Sequence, residues 1–377
     1  MKIVFAGGGT GGHFYPIIAV AQKVNQIIDH EHILKAKLYY FSDDPYDSKM
    51  LFENGLLYEK VNSGKMRTYF SFRNFMDVFK VFFGTVNAIF KIFSIYPDVV
   101  FGKGGYASFP TIFAARILRI PVLIHESDCA PGRVNKWAGS FAKKVAISFP
   151  EAAGYFSKEK TAWTGQPIRT EIERKASRKE AIEYFDFESD IPVIFVIGGS
   201  QGAELMNNTV LDALPRWLNN YQVIHQTGVE NFKGVSGQAE VVLTHNKHKM
   251  RYVAIPFLNP LKMKMAAGAA SIVVSRAGST LFEIASWGVP SILIPFTNSN
   301  VDHSKKNAFA YARAGACSVV EEVNMTANIL TSEIGRILED RTGYEMMAQN
   351  AKNFFKTGAA EKIARELVDI ALSHEPR

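Results

Sequence analysis

Residues 1–20 read MKIVFAGGGTGGHFYPIIAV, an apolar strand signal that runs into five glycines within six positions, 7 to 12, and then meets His13. Strand, glycine loop and helix in that order make an anion site, because glycine lets backbone N–H groups approach a phosphate and a helix start favours negative charge. Many nucleotide-binding folds share that physics, so the stretch predicts a Rossmann-like opening unit without naming a ligand. Residues 192–207, PVIFVIGGSQGAELMN, restate the pattern of strand, glycine turn, small residues and helix. Two such units predict two Rossmann-like halves.

The other strand signals are LYYFS (38–42), DVVFG (98–102), PVLIHE (121–126), KVAIS (144–148), QVIHQTG (222–228), RYVAIPF (251–257), SIVVSRAG (271–278) and PSILIPF (290–296). Nearly all are short apolar runs separated by helical patterns, which is how buried parallel strands read. Sites in such sheets lie at the carboxyl ends of strands, where GGGTGGH, GKGGYAS, HESDCAPG, GGSQGA and SRAGS all fall. The 377 residues, 47% hydrophobic, exceed one usual core. TGQPIR (164–169) follows the strand-like TAW and marks a boundary. The expected domains are 1–165 and 166–350, with a helical segment, 351–377, packing back on the first and a cleft between the halves as the expected site.

Two distant cysteines, Cys129 and Cys317, read as free thiols of a reducing compartment, with the cytosol as default. Glycines from Gly7 onward break the first apolar run, which therefore reads as neither a signal peptide nor a membrane helix. The net charge of +7 is local: residues 65–144 carry twelve Lys and Arg against four acids, and the remainder is near neutral. Such a surface attracts nucleic acid, anionic lipid or phosphorylated substrates. Within it, RTYFSFRNFMDVFKVFFGTVNAIFKIF (67–93) is crowded with Phe and broken by Asp77, Lys80 and Lys91, so it is too interrupted to span a bilayer. On a helix Phe75, Phe79, Phe82 and Phe83 share one face that Val86, Phe90 and Phe93 continue. That face either lies on a membrane, with Arg73, Lys80 and Lys91 meeting head groups, or packs into the amino-terminal core.

GGGTGGHFYPIIAVA, GKGGYASFPTIFAAR, HESDCAPGRVNKW, TGQPIR, GGSQGAELMN, SRAGSTLFEIASWGVPSILIPF and DHSKKNA, in that order and spacing, resemble glycosyltransferase family 28 over nearly the whole chain. The resemblance implies the glycosyltransferase B fold, two Rossmann-like α/β domains facing a cleft. It also implies an inverting hexosyltransferase that moves N-acetylglucosamine from UDP-GlcNAc to undecaprenyl-diphosphate-MurNAc-pentapeptide (lipid I), giving lipid II of peptidoglycan at the cytoplasmic face of the cell membrane. The SRAG block is shared across the wider family, whereas GGTGGH and GGY.S.P narrow the resemblance to the lipid I branch.

On that resemblance the carboxyl half holds the donor. Ser200, Gln201 and Gly202 open a helix suited to the diphosphate or sugar, and Arg276, Gly278 and Ser279, with Arg169 at the hinge, complete the anion site. Glu283 matches the acid that receives the ribose diol, a task suited to a carboxylate because it accepts two hydrogen bonds. Backbone groups near Phe257 and Leu258 resemble the uracil-reading loop, and Ser304 falls in the donor-sugar region. Thr10, Gly11 and Gly12 are assigned to the donor as well.

The amino half then holds the lipid-linked diphosphate acceptor through Gly8, Gly9, His13, Gly104, Gly105, Tyr106, His125 and Glu126. At a helix start the dipole disfavours a charged imidazole, so His13 is a general-base candidate, with Asp128 the next. Three positions depart from the family pattern: Asp128 and Gln166 replace Asn, and Ser304 replaces Gln. No D-x-D occurs in the donor half, so neither metal nor cofactor is expected, UDP-GlcNAc being a substrate. The partners expected are UDP-GlcNAc, the lipid acceptor and an anionic membrane surface, not nucleic acid, since no RNA-binding motif is visible. A diacylglycerol glycosyltransferase, a UDP-GlcNAc epimerase and a dehydrogenase remain rival readings.

Overall fold

The computed structural model describes residues 1–33, 35–64, 72–198, 203–296 and 303–373, with side chains at all of these except 72–79. The chain divides into two compact units, Met1–Arg169 with Lys356–Arg377, and Thr170–Phe355.

The first unit runs β1 (Lys2–Ala6), α1 (Gly11–His30), β2 (Lys37–Ser42), α2 (Ser48–Glu53), β3 (Leu56–Lys60), α3 (Phe72–Ile95), β4 (Val99–Gly102), α4 (Phe109–Ile117), β5 (Val122–Glu126), α5 (Arg133–Ala138), β6 (Lys144–Ile147) and β7 (Thr161–Trp163). Its seven strands are all parallel, in the order β3-β2-β1-β4-β5-β6-β7. Alternate residues of β1 explain why it reads as an unbroken apolar run. Ile3 and Phe5 join the core under α1, while Val4 and Ala6 join the core on the opposite face. Ile3, Val4 and Phe5 each contribute about 1.5–3 kcal/mol by leaving water, and Ala6 less.

The second unit runs α6 (Thr170–Glu173), α7 (Arg178–Phe185), β8 (Val193–Ile197), α8 (Glu204–Asn220), β9 (Gln222–Gln226), α9 (Phe232–Val242), β10 (Tyr252–Ile255), α10 (Pro260–Ala269), β11 (Ile272–Arg276), α11 (Thr280–Trp287), β12 (Ser291–Ile294), α12 (His303–Arg313), β13 (Ser318–Val319), α13 (Ala327–Glu339) and α14 (Arg341–Phe354). Its six parallel strands follow the order β10-β9-β8-β11-β12-β13. Ile194 and Val196 face the core under α8, and Phe195 on the other face stacks on Trp287. Helix starts carry local signals: Asn259 caps α10 ahead of Pro260, and Thr326 caps α13. The last helix, α15 (Ala359–Leu372), returns to the first unit, where Ile363, Leu367 and Val368 share the core under α1.

In each sheet the strand order reverses beside its first strand, between β1 and β4 and between β8 and β11. Connections there leave to opposite faces and open a crevice at the carboxyl ends of the strands. The loops after β1, β4 and β5 meet at this end of the first unit.

Candidate active site

The first glycine loop ends at Thr10, which occupies the N-cap of α1 but makes no side-chain cap. Its Oγ1 instead meets His13 Nδ1 at 2.9 Å. The opening amides of α1 have no carbonyl one turn back, so those of Gly11 and Gly12 suit an anion. The bareness of the loop is a packing demand. At Gly9, φ is +78° and a Cβ would stand 2.7 Å from the Tyr106 hydroxyl. At Gly8 it would stand 2.2 Å from Ser42 Oγ.

The second glycine turn closes from the other side. Gly105 has φ +74°, and a Cβ there would lie 3.1 Å from His13 Nε2; at Gly104 it would lie 2.7 Å from Asn135 Nδ2. His13, Gly105, Gly9 and Tyr106 thus form one interlocked cradle. Beneath it lies Lys103, only 2% exposed, whose Cβ would be 3.1 Å from a Cβ at Gly7. Its N–H donates to Ala6 O at 2.9 Å, and its ammonium donates to Ser127 Oγ.

His125 and Glu126, read from the sequence as acceptor contacts, are buried and work underneath the cradle. His125 Nε2 meets Gly165 O at 3.1 Å and Ser148 Oγ at 3.2 Å. Glu126 holds the next loop: Oε1 accepts from Asp128 N (2.9 Å), and Oε2 accepts from Asn135 Nδ2 (2.9 Å) and Gly132 N (3.2 Å). Gln166 Oε1 accepts from both Ser127 and Ser148 hydroxyls at 2.8 Å. Lys103, Ser127, Asn135, Ser148 and Gln166 were not singled out as site residues, because each matters only through a partner distant in sequence.

The electrostatics follow this packing. The protein around the partly exposed His13 pushes its pKa down to about 4, burial first and the Lys103 ammonium second, with Asp128 opposing. Burial likewise pushes Lys103 down, opposed by Glu126 and Asp128, and pushes Glu126 up, assisted by Asp128. His125 is held well below the usual histidine range, by burial and then by Lys103. Neutral imidazoles therefore flank a buried cation.

In the second unit, Ser200, Gln201 and Gly202 lie outside the described residues. Arg276 ends β11, donates to Glu322 Oε1 and lies 4.6 Å from the Phe296 ring centroid. Its Nε and Nη1 are buried with no partner among the described residues. Gly278 and Ser279 follow, and Glu283 stands in the first turn of α11. Ser304 is committed internally: its hydroxyl donates to Ala277 O (3.1 Å) and accepts from Phe296 N (3.2 Å), tying together the ends of β11 and β12. Beyond β10, Phe257 is exposed and Leu258 buried. Arg169, read as a donor contact, is buried in the first unit with its guanidinium 4.0 Å from the Tyr15 ring centroid.

On α3, Phe82, Phe83, Phe90 and Phe93 are 61–70% exposed, whereas Ala88 and Ile92 are buried. Lys91 is paired with Glu59, so its charge is already engaged. Phe75, Phe79 and Arg73 carry no described side chains. Among the described residues no helix is long and apolar enough to cross a membrane, and no group of three or more His, Cys, Asp or Glu is placed to hold a metal.

Comparison with known proteins gives the family of the chain. Residues 3–147 match the glycosyltransferase family 28 N-terminal domain and residues 193–363 its C-terminal domain. The UDP-N-acetylglucosamine–N-acetylmuramyl-(pentapeptide) pyrophosphoryl-undecaprenol N-acetylglucosamine transferase of Acetivibrio thermocellus is 35% identical over 382 residues, covering 98% of each chain. Among solved structures, Acinetobacter baumannii MurG superposes with a TM-score of 0.72 at 23% identity, covering 98% of this chain and 99% of that one. The UDP-GlcNAc 2-epimerase of Neisseria meningitidis, at 0.66 and 16% over 98% and 99%, shares the fold alone.

Proposed function

Because this chain belongs to glycosyltransferase family 28, we infer that it transfers N-acetylglucosamine from UDP-GlcNAc to lipid I, giving lipid II of peptidoglycan synthesis. The carrying observation is the near full-length identity to transferases named for that reaction.

In this reading the first unit receives the acceptor. The two glycine turns, at Gly8 and Gly9 and at Gly104 and Gly105, take the diphosphate, and His13 meets the sugar hydroxyl that becomes the nucleophile. In the tautomer whose Nδ1–H donates to Thr10 Oγ1, Nε2 keeps the lone pair that a base needs. The hydroxyl oxygen attacks the anomeric carbon from the face opposite the diphosphate, its proton passes to His13 Nε2, and UDP leaves with the bonding pair. A base at this point is worth about 10²–10⁴ in rate. Asp128, which bears electrostatically on His13, is the alternative base.

The second unit receives UDP-GlcNAc. Glu283 accepts the ribose hydroxyls, Arg276 presents its unpaired Nε and Nη1 to the diphosphate, and the loop at 198–202 completes the anion site. The internal bonds of Ser304 make it a support for this loop region and not a sugar contact.

The acceptor is anchored in a bilayer, and the exposed Phe face of α3 supplies a peripheral docking surface on the cytoplasmic leaflet. Exposed basic residues of 65–144, Lys91 and Lys103 excepted, add attraction to anionic lipid, about 1 kcal/mol each near the surface. Incubation with UDP-GlcNAc and a soluble-tail lipid I analogue tests the function: a product heavier by one N-acetylhexosamine supports it, and hydrolysis or epimerisation of UDP-GlcNAc alone contradicts it.

A further inference from the structure

A lysine buried beneath the loop that ends in the candidate base is an unusual expense for a fold. An uncompensated charge in such a place costs several kcal/mol, so buried cations are found paired. Lys103 is 2% exposed, sits at the carboxyl end of β4 and underlies the loop that ends in His13. Its side chain reaches across to β5, donating to Ser127, and Ser127 continues the chain to Gln166 and so to Ser148 and His125. The carboxylates that face it are Glu126 and Asp128, and the imidazoles that feel it are His13 and His125. Neither the opening strand, which ends at Ala6, nor the first turn of α1 contributes an acid.

We propose that Lys103 is a positioning residue for the transfer: its ammonium, lodged beneath the glycine loop, holds His13 in its neutral, proton-accepting form, and its bond to Ser127 fixes the loop that carries Asp128. The inference rests on His13 acting as base in the reading above. The two parts of the role are separable. The charge acts on His13 through space, and Asp128 opposes it, consistent with the direction in which each moves the imidazole. The hydrogen bond acts on geometry only. Burial, the larger cause of the His13 shift, is left in place when Lys103 is replaced by Met.

The test follows His13 directly, by NMR of histidine-labelled full-length protein, with the resonance assigned from H13Q and folding checked by thermal melting. With a pKa of about 4, wild-type His13 is about one-tenth protonated at pH 5. In K103M the titration should rise by about one unit, to roughly half protonation at pH 5, and the acid limb of kcat/KM should rise with it while the KM for UDP-GlcNAc stays within about twofold. In S127A the bond is lost but the charge stays, so His13 should titrate as in wild type. An unchanged titration in folded K103M, or an equal shift in S127A, overturns the proposal. Should K103M fail to fold, K103Q carries the test: removing the charge should raise the protonated fraction of His13 at pH 5, and a fall or no change overturns it. Failure of the transferase reading itself would appear differently, as absence of glycosyl transfer by wild type with the titrations unaffected.

Discussion

As the proposed base, His13 would concentrate the chemistry of the first unit in one side chain, and its protonation would set a pH signature. In the proposed mechanism the neutral ring is the active form, so activity should be lost as pH falls through the pKa of about 4. The sign is that of a depressed histidine: kcat/KM should be flat from pH 7 down to about 5, whereas an ordinary imidazole would already lose half its activity near pH 6.5. A pH–rate profile with a limb near 6.5 contradicts this environment. His13→Ala should lower turnover by roughly 10²–10⁴ with a smaller change in acceptor KM; normal turnover with weakened acceptor binding would make His13 a phosphate contact. In the second unit, Glu283→Ala should raise the donor KM about 30-fold, the equivalent of about 2 kcal/mol for hydrogen bonds to a charged group. Donor affinity at the wild-type level would remove Glu283 from the ribose. His13, Glu283 and Arg276 stand out in the sequence because each follows a strand or opens a helix next to glycine. Lys103 and Ser127 lie within quoted motifs too, but only the fold reveals that one is buried and bonds the other.

The elements were legible wherever a strand is covered on both faces. VIFVI and SILI are buried throughout, and KIVFA from Ile3 onward, and they read as continuous apolar runs. The edge strands β3 and β13 escaped for the opposite reason, whereas the edges β7 and β10 are legible in TAW and RYVAIPF. β3, LLYEK, is largely exposed, and β13 is two residues long, so neither carries an apolar run to read. Helix α3 was visible as an apolar period, but its orientation was not. Phe82, Phe83, Phe90 and Phe93 fall within an arc of about 100°, and the structure exposes that arc and buries Ala88 and Ile92. Replacing Phe82 and Phe83 by Ser should therefore weaken binding to anionic liposomes while leaving the melting temperature unchanged within a degree or two. A loss of several kcal/mol of stability would place the face in the core and end the docking proposal. The opposite side of the same helix is held by close contact at Gly84, where a Cβ would fall 1.7 Å from the Asn62 carbonyl oxygen. Gly84→Ala should lower stability by about 1–3 kcal/mol in a denaturant melt, the usual cost of overpacking; a neutral result would mean that α3 is not seated there.

At the scale of the whole molecule, one topology is used twice, and the internal repeat of strand, glycine turn and helix at residues 2 and 193 announces it. Repetition of the fold leaves the division of labour to the loops, and these differ. The first unit lines its strand ends with glycine turns, a histidine and a buried lysine, which suits a diphosphate and a proton transfer. The second places Arg276 and Glu283 at its own strand ends, which suits a nucleotide. The departures at Gln166 and Ser304 leave side chains that are hydrogen-bonded within their own units, while at Asp128 the backbone N–H donates to Glu126 Oε1. The most direct measurement offers the purified chain UDP-GlcNAc with a lipid I analogue, with diacylglycerol, or with no acceptor, and determines the product by mass and by the proton coupling at the new anomeric carbon. Transfer to the lipid I analogue alone, with the α-linked donor sugar delivered as the β anomer, is the result predicted. Transfer to diacylglycerol in preference, retention of the α configuration, or conversion of UDP-GlcNAc to its 2-epimer without an acceptor would contradict the account.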